Sequence, residues 1–515
     1  MKKSNRELFI SNTVFNVSFN LLNQLIALFI LPLFVKNLGM ELYGIWVISG
    51  IILGYLGMMD MGFTQGVMKY VAGAYVKKDF LKFNKVINTA SILFFLIGSF
   101  ILLAVFLFNT QIIQLFAISP ENIDTACRLV LITGIFAPFL WTTRITDITF
   151  QGILRFKEYS ILSGIQALGK TLTMLYLVYS GHNIISIAIV TNIVHLVLWL
   201  PSLFVLIRVL PDLSFGKRFL SLDVIKEIMP FSMGVFYSSL ITMLALQGDN
   251  LIIGIAVSMS GVTAYAVASK LFYISYRYMG MLSGVLQPTS YQAFENDDKI
   301  LIDKILAKGT KYMTMLYTPI GYLGIIVSPL FIKTWMGIDY LQYAIWSQAF
   351  MAVFIVTSGF GMPVNLVFNS GRTHPPNVFK TASVIVNFTI SILLVKRFGI
   401  GGPILGTLIA GLLGTLTFPY FCKLIDADWE KHAIMILKII AINIPSSIFF
   451  YWVSCNIEAG WLNLIGLSLA IMTVQFSTLY LTFFTSDEKK DILIFLETLG
   501  FFKLMKMLRF ELKNG

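Results

Sequence analysis

Fourteen apolar stretches, each long enough to cross a bilayer, fill the chain from Phe9 to Thr485 with little between them. Lipid offers no partner for backbone N–H and C=O groups, so a span must be a helix of about 20 mostly apolar residues. The stretches lie at residues 9–35, 42–62, 86–109, 124–144, 159–180, 184–207, 230–255, 262–286, 309–332, 342–366, 377–396, 401–422, 435–456 and 462–485. The expected fold class is therefore an all-α polytopic membrane protein with 14 transmembrane helices.

The chain is 57% hydrophobic and only 12% charged, about half the charged share of a soluble domain. The longest connections, near residues 208–229 and 287–308, are too short to hold a soluble catalytic domain. Cys127, Cys422 and Cys455 are odd in number and scattered, which argues against a disulfide framework or a metal site. The start, MKKSNRELFI, resembles a signal n-region. The apolar run behind it is too long and has no small-residue cleavage site, so it is expected to remain as the first span.

A net charge of +12 does not point to nucleic acid, because its distribution explains it. With the N-terminus placed in the cytoplasm, 28 of the 38 basic residues fall on inward segments. Only Lys36, Lys333, Lys396 and Arg397 fall on outward loops. This is the positive-inside bias, and it puts both termini in the cytoplasm.

The chain repeats itself. LPLFVKNLGMELYGIWVIS lies between the first two spans and LIIGIAVSMSGVTAYAVAS between the seventh and eighth, aligning Gly39 and Tyr43 with Gly261 and Tyr265. FQGILRFKEY from Phe150 echoes FNSGRTHPPN from Phe368. The offset of about 220 residues equals six spans, an even number, so the units are parallel repeats. The expected organisation is an N-lobe at 1–208 (spans one to six) and a C-lobe at 209–423 (spans seven to twelve). Two extra C-terminal helices at 424–485 and a cytoplasmic tail at 486–515 follow.

The stretch LFVKNLGMELYGIWVISGIILGYLGMMDMGFTQGVMKYVA, with QGILRFKEYSIL and GDNLIIGIAVSMSGVTAYAVASKL, resembles bacterial polysaccharide exporters. The similarity is to Wzx-type lipid-linked oligosaccharide flippases of the multidrug/oligosaccharidyl-lipid/polysaccharide exporter superfamily, over essentially the whole length. It implies a transporter of the bacterial inner membrane, not an enzyme. Its cargo would be an undecaprenyl-diphosphate-linked repeat unit of O-antigen type, moved to the outer leaflet by alternating access. It further implies membrane lipids, glycosyltransferases and a polysaccharide polymerase as partners, no nucleic acid, and no cofactor beyond a coupling ion, H+ or Na+. In related flippases the last two spans cradle the polyprenyl tail.

A charge at mid-bilayer costs about 2.5–3.5 kcal/mol on insertion scales, so each one needs a reason. Four cations lie within spans away from the inner interface: Arg128, Lys170, Lys270 and Arg277. Lys170 is about 16 Å from the inner end of its helix. Lys270 is about 12 Å below the outer surface, with Arg277 about 10 Å deeper. Seven residues apart, Lys270 and Arg277 share a face, with Tyr273 between them. Arg128 is near the outer boundary and can snorkel.

Asp249 is the one carboxylate well inside a span; Asp60 and Asp147 sit at inner ends. Bland readings exist: Lys270 paired with Asp249, Lys170 snorkelling or donating to carbonyls, Arg277 reaching the interface. A cationic cavity between the lobes accounts for all three together. Asn12, Asn16, Asn20, Asn23 and Gln24 stripe one face of the first span, as lumen lining for sugar hydroxyls or as glue between helices. Substrate candidates are thus Lys170, Lys270, Arg277, Arg128, Asn16, Asn20, Gln24 and Tyr273, and coupling candidates are Asp249, His195 and Asp60. His195, with Asn192 a turn earlier, is either a proton carrier or a satisfied core histidine.

GIQALGKT at Gly164–Thr171 matches the phosphate-loop pattern, but it lies within a span without the strand–loop–helix the motif requires. Gly402, Gly406, Ala410 and Gly414 form a small-residue stripe expected to be a helix-packing face. A cation-coupled multidrug antiporter of the same superfamily is the alternative. It calls for lumenal carboxylates, and this chain offers essentially Asp249 against several cations. A membrane-embedded polymerase or ligase needs a substantial outward loop with catalytic groups, and the outward loops here are short.

Overall fold

The computed structural model describes residue 26, residues 28–57 and residues 62–489. Among them there are helices and no strands. In chain order the α-helices are α1 (Leu28–Leu38), α2 (Met40–Gly57), α3 (Phe63–Val76), α4 (Phe80–Gln114), α5 (Ile123–Gly152), α6 (Phe156–Tyr179) and α7 (Ile184–Val209). They continue as α8 (Leu222–Ala256), α9 (Met259–Ala268), α10 (Lys270–Glu295), α11 (Lys299–Trp335), α12 (Ala344–Ser358), α13 (Met362–Asn369) and α14 (His374–Phe398). The last five are α15 (Gly401–Thr415), α16 (Phe418–Lys423), α17 (Trp429–Ile442), α18 (Ile444–Cys455) and α19 (Trp461–Phe483).

Eleven helical segments among the described residues are long and apolar enough to span a bilayer. The expected fourteen are thus met in part. Span one is described only from its end, where Leu28–Leu38 is a short apolar helix. Span two is described as far as Gly57, and α3 starts at Phe63 after Gly62, whose φ is +73°. Span eight is divided at Ser269 into α9 and α10, and α10 carries Lys270 and Arg277, which lower its hydropathy. Span thirteen also breaks, at Asn443, where Pro445 in the first turn of α18 has no N–H to continue the ladder.

By contacts, the described residues of Met1–Val267 and Asn377–Ala410 form one compact unit, and those of Ala268–Pro376 and Gly411–Gly515 a second. This grouping differs from the lobes expected from the repeat: α8, all but the last residue of α9, α14 from Asn377 and α15 to Ala410 fall in the first unit.

In the first unit α4 and α5 cross closely at Gly98, where a Cβ would strike the backbone of Ala137 and Pro138. One polar face of α4 fixes the long connection from α7 to α8. Asn84 donates to the Asp212 carbonyl at 2.9 Å and accepts from Ser214 N at 3.0 Å. Asn88 donates to the Ser214 carbonyl at 2.8 Å and accepts from Gly216 N at 2.9 Å. Thr89 accepts from Ser221 N at 3.1 Å. Loop backbone beside a buried surface must find partners, and here asparagine amides supply them.

The second unit is built on α11, which packs against α10, α12, α17, α18 and α19. Beyond α19, Thr485 and Glu488 cap each other's backbone: Thr485 N donates to Glu488 Oε2 at 2.9 Å and Glu488 N to Thr485 Oγ1 at 3.3 Å. The Glu488 carboxylate also accepts from Lys311 at 2.6 Å and Tyr312 at 2.8 Å. Burial alone pushes this carboxyl up, but the bonds from Lys311, Thr485 and Tyr312 outweigh it and bring it to about 2, from 4.5. The tie therefore contributes fully above pH 4.5 and is lost only as pH falls through about 2.

Candidate functional site

Asp249, 3% exposed, is the buried polar centre of the first unit. It sits on α8 two turns before the helix ends. Its Oδ2 accepts from Tyr265 of α9 at 2.8 Å and from Thr407 of α15 at 2.9 Å. Its Oδ1 accepts from the Asn387 amide of α14 at 3.5 Å, and Ser391 donates to Asn387 Oδ1 at 2.9 Å. The small-residue stripe is what permits this arrangement. Gly402 lies against the backbone of Leu394 and Val395, and a Cβ on Gly406 would collide with Ser391 and Asn387. Gly402, Gly406 and Ala410 are buried as a packing face, whereas Gly414 has open space around it. Four helices thus deliver one carboxylate and three or four oxygen-bearing neutral groups to a single point. Such an oxygen-rich set suits a proton or a hard monovalent cation.

The two repeat-related turns meet in the same unit. Gly39, with φ of +89°, turns the chain between α1 and α2. Thr263 Oγ1 donates to the Met40 carbonyl at 2.6 Å, and a Cβ on Gly44 would run into the Met259 carbonyl. Beside them Ser119 N donates to Glu41 at 2.7 Å and Ala117 N to the Gly254 carbonyl at 2.8 Å. The second tyrosine of the repeat, Tyr265, is the one that reaches Asp249.

The expected cations divide between the units. Lys170, half-buried on α6, lies within electrostatic reach of His195 of α7. No carboxylate of its own unit pairs with Lys170 among the described residues. Lys270 stands 6.0 Å from the centre of the Trp335 ring, a cation–π contact between α10 and α11. Arg277 is exposed two turns along α10, and Tyr273 between them meets Phe272 edge-on at 5.5 Å. Arg128, 68% exposed in the second turn of α5, forms an ion pair with Asp124 at 2.9 Å. The partners of Asp249 given above are all neutral. Asn16, Asn20, Gln24 and Asp60 lie outside the described residues.

A family model described as "Polysaccharide biosynthesis protein" matches residues 38–345. The chain belongs to that family. It is 21% identical over 438 residues to a Shigella flexneri protein named "Putative O-antigen transporter", covering 82% of this chain and 99% of the relative. Among solved structures it is similar to the lipid II flippase MurJ in an inward closed conformation, with TM-score 0.63 and 18% identity over 91% of this chain and 99% of that one. It is also similar to an inward-facing multidrug resistance MATE transporter of the MOP superfamily, with TM-score 0.64 and 14% identity over 81% and 99%. At these identities the likeness establishes the fold. The all-helical membrane fold expected from the sequence is thus present.

Sequence reasoning singled out Asp249 but not its partners. Tyr265 was legible only as a repeat position, and Asn387 and Thr407 carried no signal, being ordinary polar residues 138 and 158 positions away. Lys380 was also missed. It falls a turn and a half inside α14, where a lysine passes for an interfacial charge.

Proposed function

We propose that this family member is a flippase that moves an undecaprenyl-diphosphate-linked oligosaccharide unit from the cytoplasmic to the outer leaflet of the inner membrane, for surface polysaccharide of O-antigen type. The observation that carries the reading is the sign of the embedded charge. Among the described residues of their own units, Lys170, Lys270 and Arg277 sit within membrane segments without an ion pair, while the buried acid, Asp249, is tied up by neutral donors. Lys270 and Arg277 repel each other along one face of α10, and a bound diphosphate relieves that repulsion. Lys170, in the first unit, is assigned by its own charge as a further contact for an anion. The tail is assigned to the last two spans, and an apolar groove of about 790 Å³ between α19, the last of them, and α11 supports that reading, walled by Leu301, Ile305, Leu316, Phe476 and Leu479, with Lys304 and Lys308 along its rim.

Asp249 is assigned as the coupling-cation centre, for H+ or Na+, and His195 as a secondary proton-carrier candidate. Alternating access is supported by the Gly44–Met259 and Thr263–Met40 contacts. They join repeat-related turns at the end expected to face outward, as a closed outer gate would. Both termini are placed in the cytoplasm by the basic-residue bias. Glycosyltransferases and a polymerase are the functional partners.

The cation-coupled antiporter is the second reading, favoured by the MATE-like fold and by Asp249. Gene deletion decides between them. Loss of surface polysaccharide with lipid-linked intermediates retained inside is the expected result; normal polysaccharide with raised drug sensitivity reverses the assignment. In the complemented strain, Lys170→Ala, Lys270→Ala or Arg277→Ala is expected to lower export about tenfold with normal membrane levels, and Lys270→Glu to lower it further. Wild-type export from all three alanine variants would remove the cationic site, and equal defects from Lys270→Ala and Lys270→Glu would point to packing.

A further inference from the structure

Helix α14 is exposed on two faces of opposite chemistry. Val378, Ile385 and Ile392 recur every seven residues and are 48%, 60% and 57% exposed, an apolar stripe suited to lipid. Lys380 is exposed as well, yet two positions on from Val378 it points about 200° away. That is the side carrying Asn387 and Ser391, the side packed towards α8 and α15. The exposed ammonium there lies on the side of α14 turned away from the apolar stripe.

Its surroundings are polar. Lys380 Nζ donates to Thr242 Oγ1 of α8 at 2.7 Å. One residue on, Thr381 Oγ1 and the Tyr237 hydroxyl of α8 share a hydrogen bond of 2.7 Å, and Tyr237 is itself exposed. Among the described residues no carboxylate pairs with Lys380. It lies six residues, about 9 Å, inside the helix start, deep enough that an unpaired charge needs an occupant or water. Thr242 and Asp249 are seven residues apart on α8, and Lys380 and Asn387 seven apart on α14. The α8–α14 seam therefore has two rungs about 10 Å apart, one basic and open, the other acidic and buried.

We propose that Lys380, held by Thr242 and flanked by Tyr237 and Thr381, is an anion subsite that takes the phosphate-bearing head of the lipid-linked cargo. The inference rests on the flippase reading and deepens it. Two ammonium protons remain for phosphate oxygens. Because the same two helices hold Asp249, filling the basic rung with an anion favours a cation at the acidic one. By reciprocity the cation favours the anion.

The test uses full-length protein with Cys127, Cys422 and Cys455 replaced by alanine, carrying Lys380→Cys. Export is expected to fall about tenfold, to recover when the introduced thiol receives 2-aminoethyl methanethiosulfonate, and to stay low with the sulfonatoethyl reagent. In purified protein in nanodiscs, farnesyl diphosphate should slow that labelling and farnesol should not. Equal recovery with both reagents, a thiol neither reagent reaches, or labelling indifferent to farnesyl diphosphate would overturn the subsite. If Lys380→Cys does not accumulate, farnesyl diphosphate binding to Lys380→Arg and Lys380→Gln replaces it: binding is kept by arginine and weakened about tenfold by glutamine, and equal affinities overturn the proposal. The labelling and binding arms do not depend on transport, so a strain that keeps its surface polysaccharide after gene deletion sinks the flippase reading separately.

Discussion

Replacing Asp249 with asparagine is expected to leave the protein in the membrane at normal levels and to cut export at least tenfold, about 1.4 kcal/mol or more in free energy. The substitution is close to isosteric. The asparagine oxygen can still accept from Tyr265 and Thr407, which donate at 2.8 and 2.9 Å, so packing of α8 against α9 and α15 is kept. What is removed is the negative charge, and with it any capacity to bind a proton or a cation. Asp249→Ala is a harsher change. It removes the charged acceptor to which Tyr265 and Thr407 donate, at about 1.5–3 kcal/mol for each such bond lost.

The two variants separate function from folding. If Asp249 only holds helices together, the asparagine variant exports like the parent and the alanine variant fails to accumulate. If it couples transport to a cation, the asparagine variant accumulates and does not export. Uptake into inverted vesicles sharpens the result. The parent should respond to an imposed proton or sodium gradient, and Asp249→Asn should respond to neither. A gradient response that survives the substitution would move coupling elsewhere, with His195 next to be tested.

The positions of the helices were legible because lipid is a strict solvent: it demands about twenty apolar residues per crossing, and hydropathy records that directly. Interruptions inside a crossing were not. The break at Ser269 and the break at Asn443 depend on one or two residues within an apolar run, and a window average passes over both. The site followed the same division. A buried carboxylate such as Asp249 stands out because its cost is intrinsic to the residue, whereas Tyr265, Asn387 and Thr407 become significant only once α9, α14 and α15 bring them to it. Gly406 could be read as a packing residue, but its neighbour Thr407 gave no hint that the packing serves Asp249. Lys380 shows the limit from the other side. Depth along a helix is readable from sequence, but the partner a residue meets, here Thr242 of α8, needs the neighbouring helix.

The repeat supplies the other large effect. Gly44→Leu is expected to abolish export while leaving insertion intact. Gly44 permits α2 to lie against the Met259 carbonyl so closely that even a Cβ would overlap it, and backbone cannot rotate aside as a side chain can. The variant must therefore hold the two turns apart, breaking the Thr263 bond to the Met40 carbonyl and leaving that end open. A transporter that alternates access must close each end in turn, so an end that cannot close stops the cycle. Gly44→Ala should show the same defect more weakly, since a methyl forces a smaller displacement. The converse change is a cross-link between Met40→Cys and Thr263→Cys, in protein without its three native cysteines, through a short bis-methanethiosulfonate, each thiol displacing methanesulfinate. It should arrest export from the closed state, and reduction should restore it. Wild-type export from the cross-linked protein would mean that these turns stay together throughout the cycle. The contact would then be a fixed pivot of the fold, with the moving gate elsewhere.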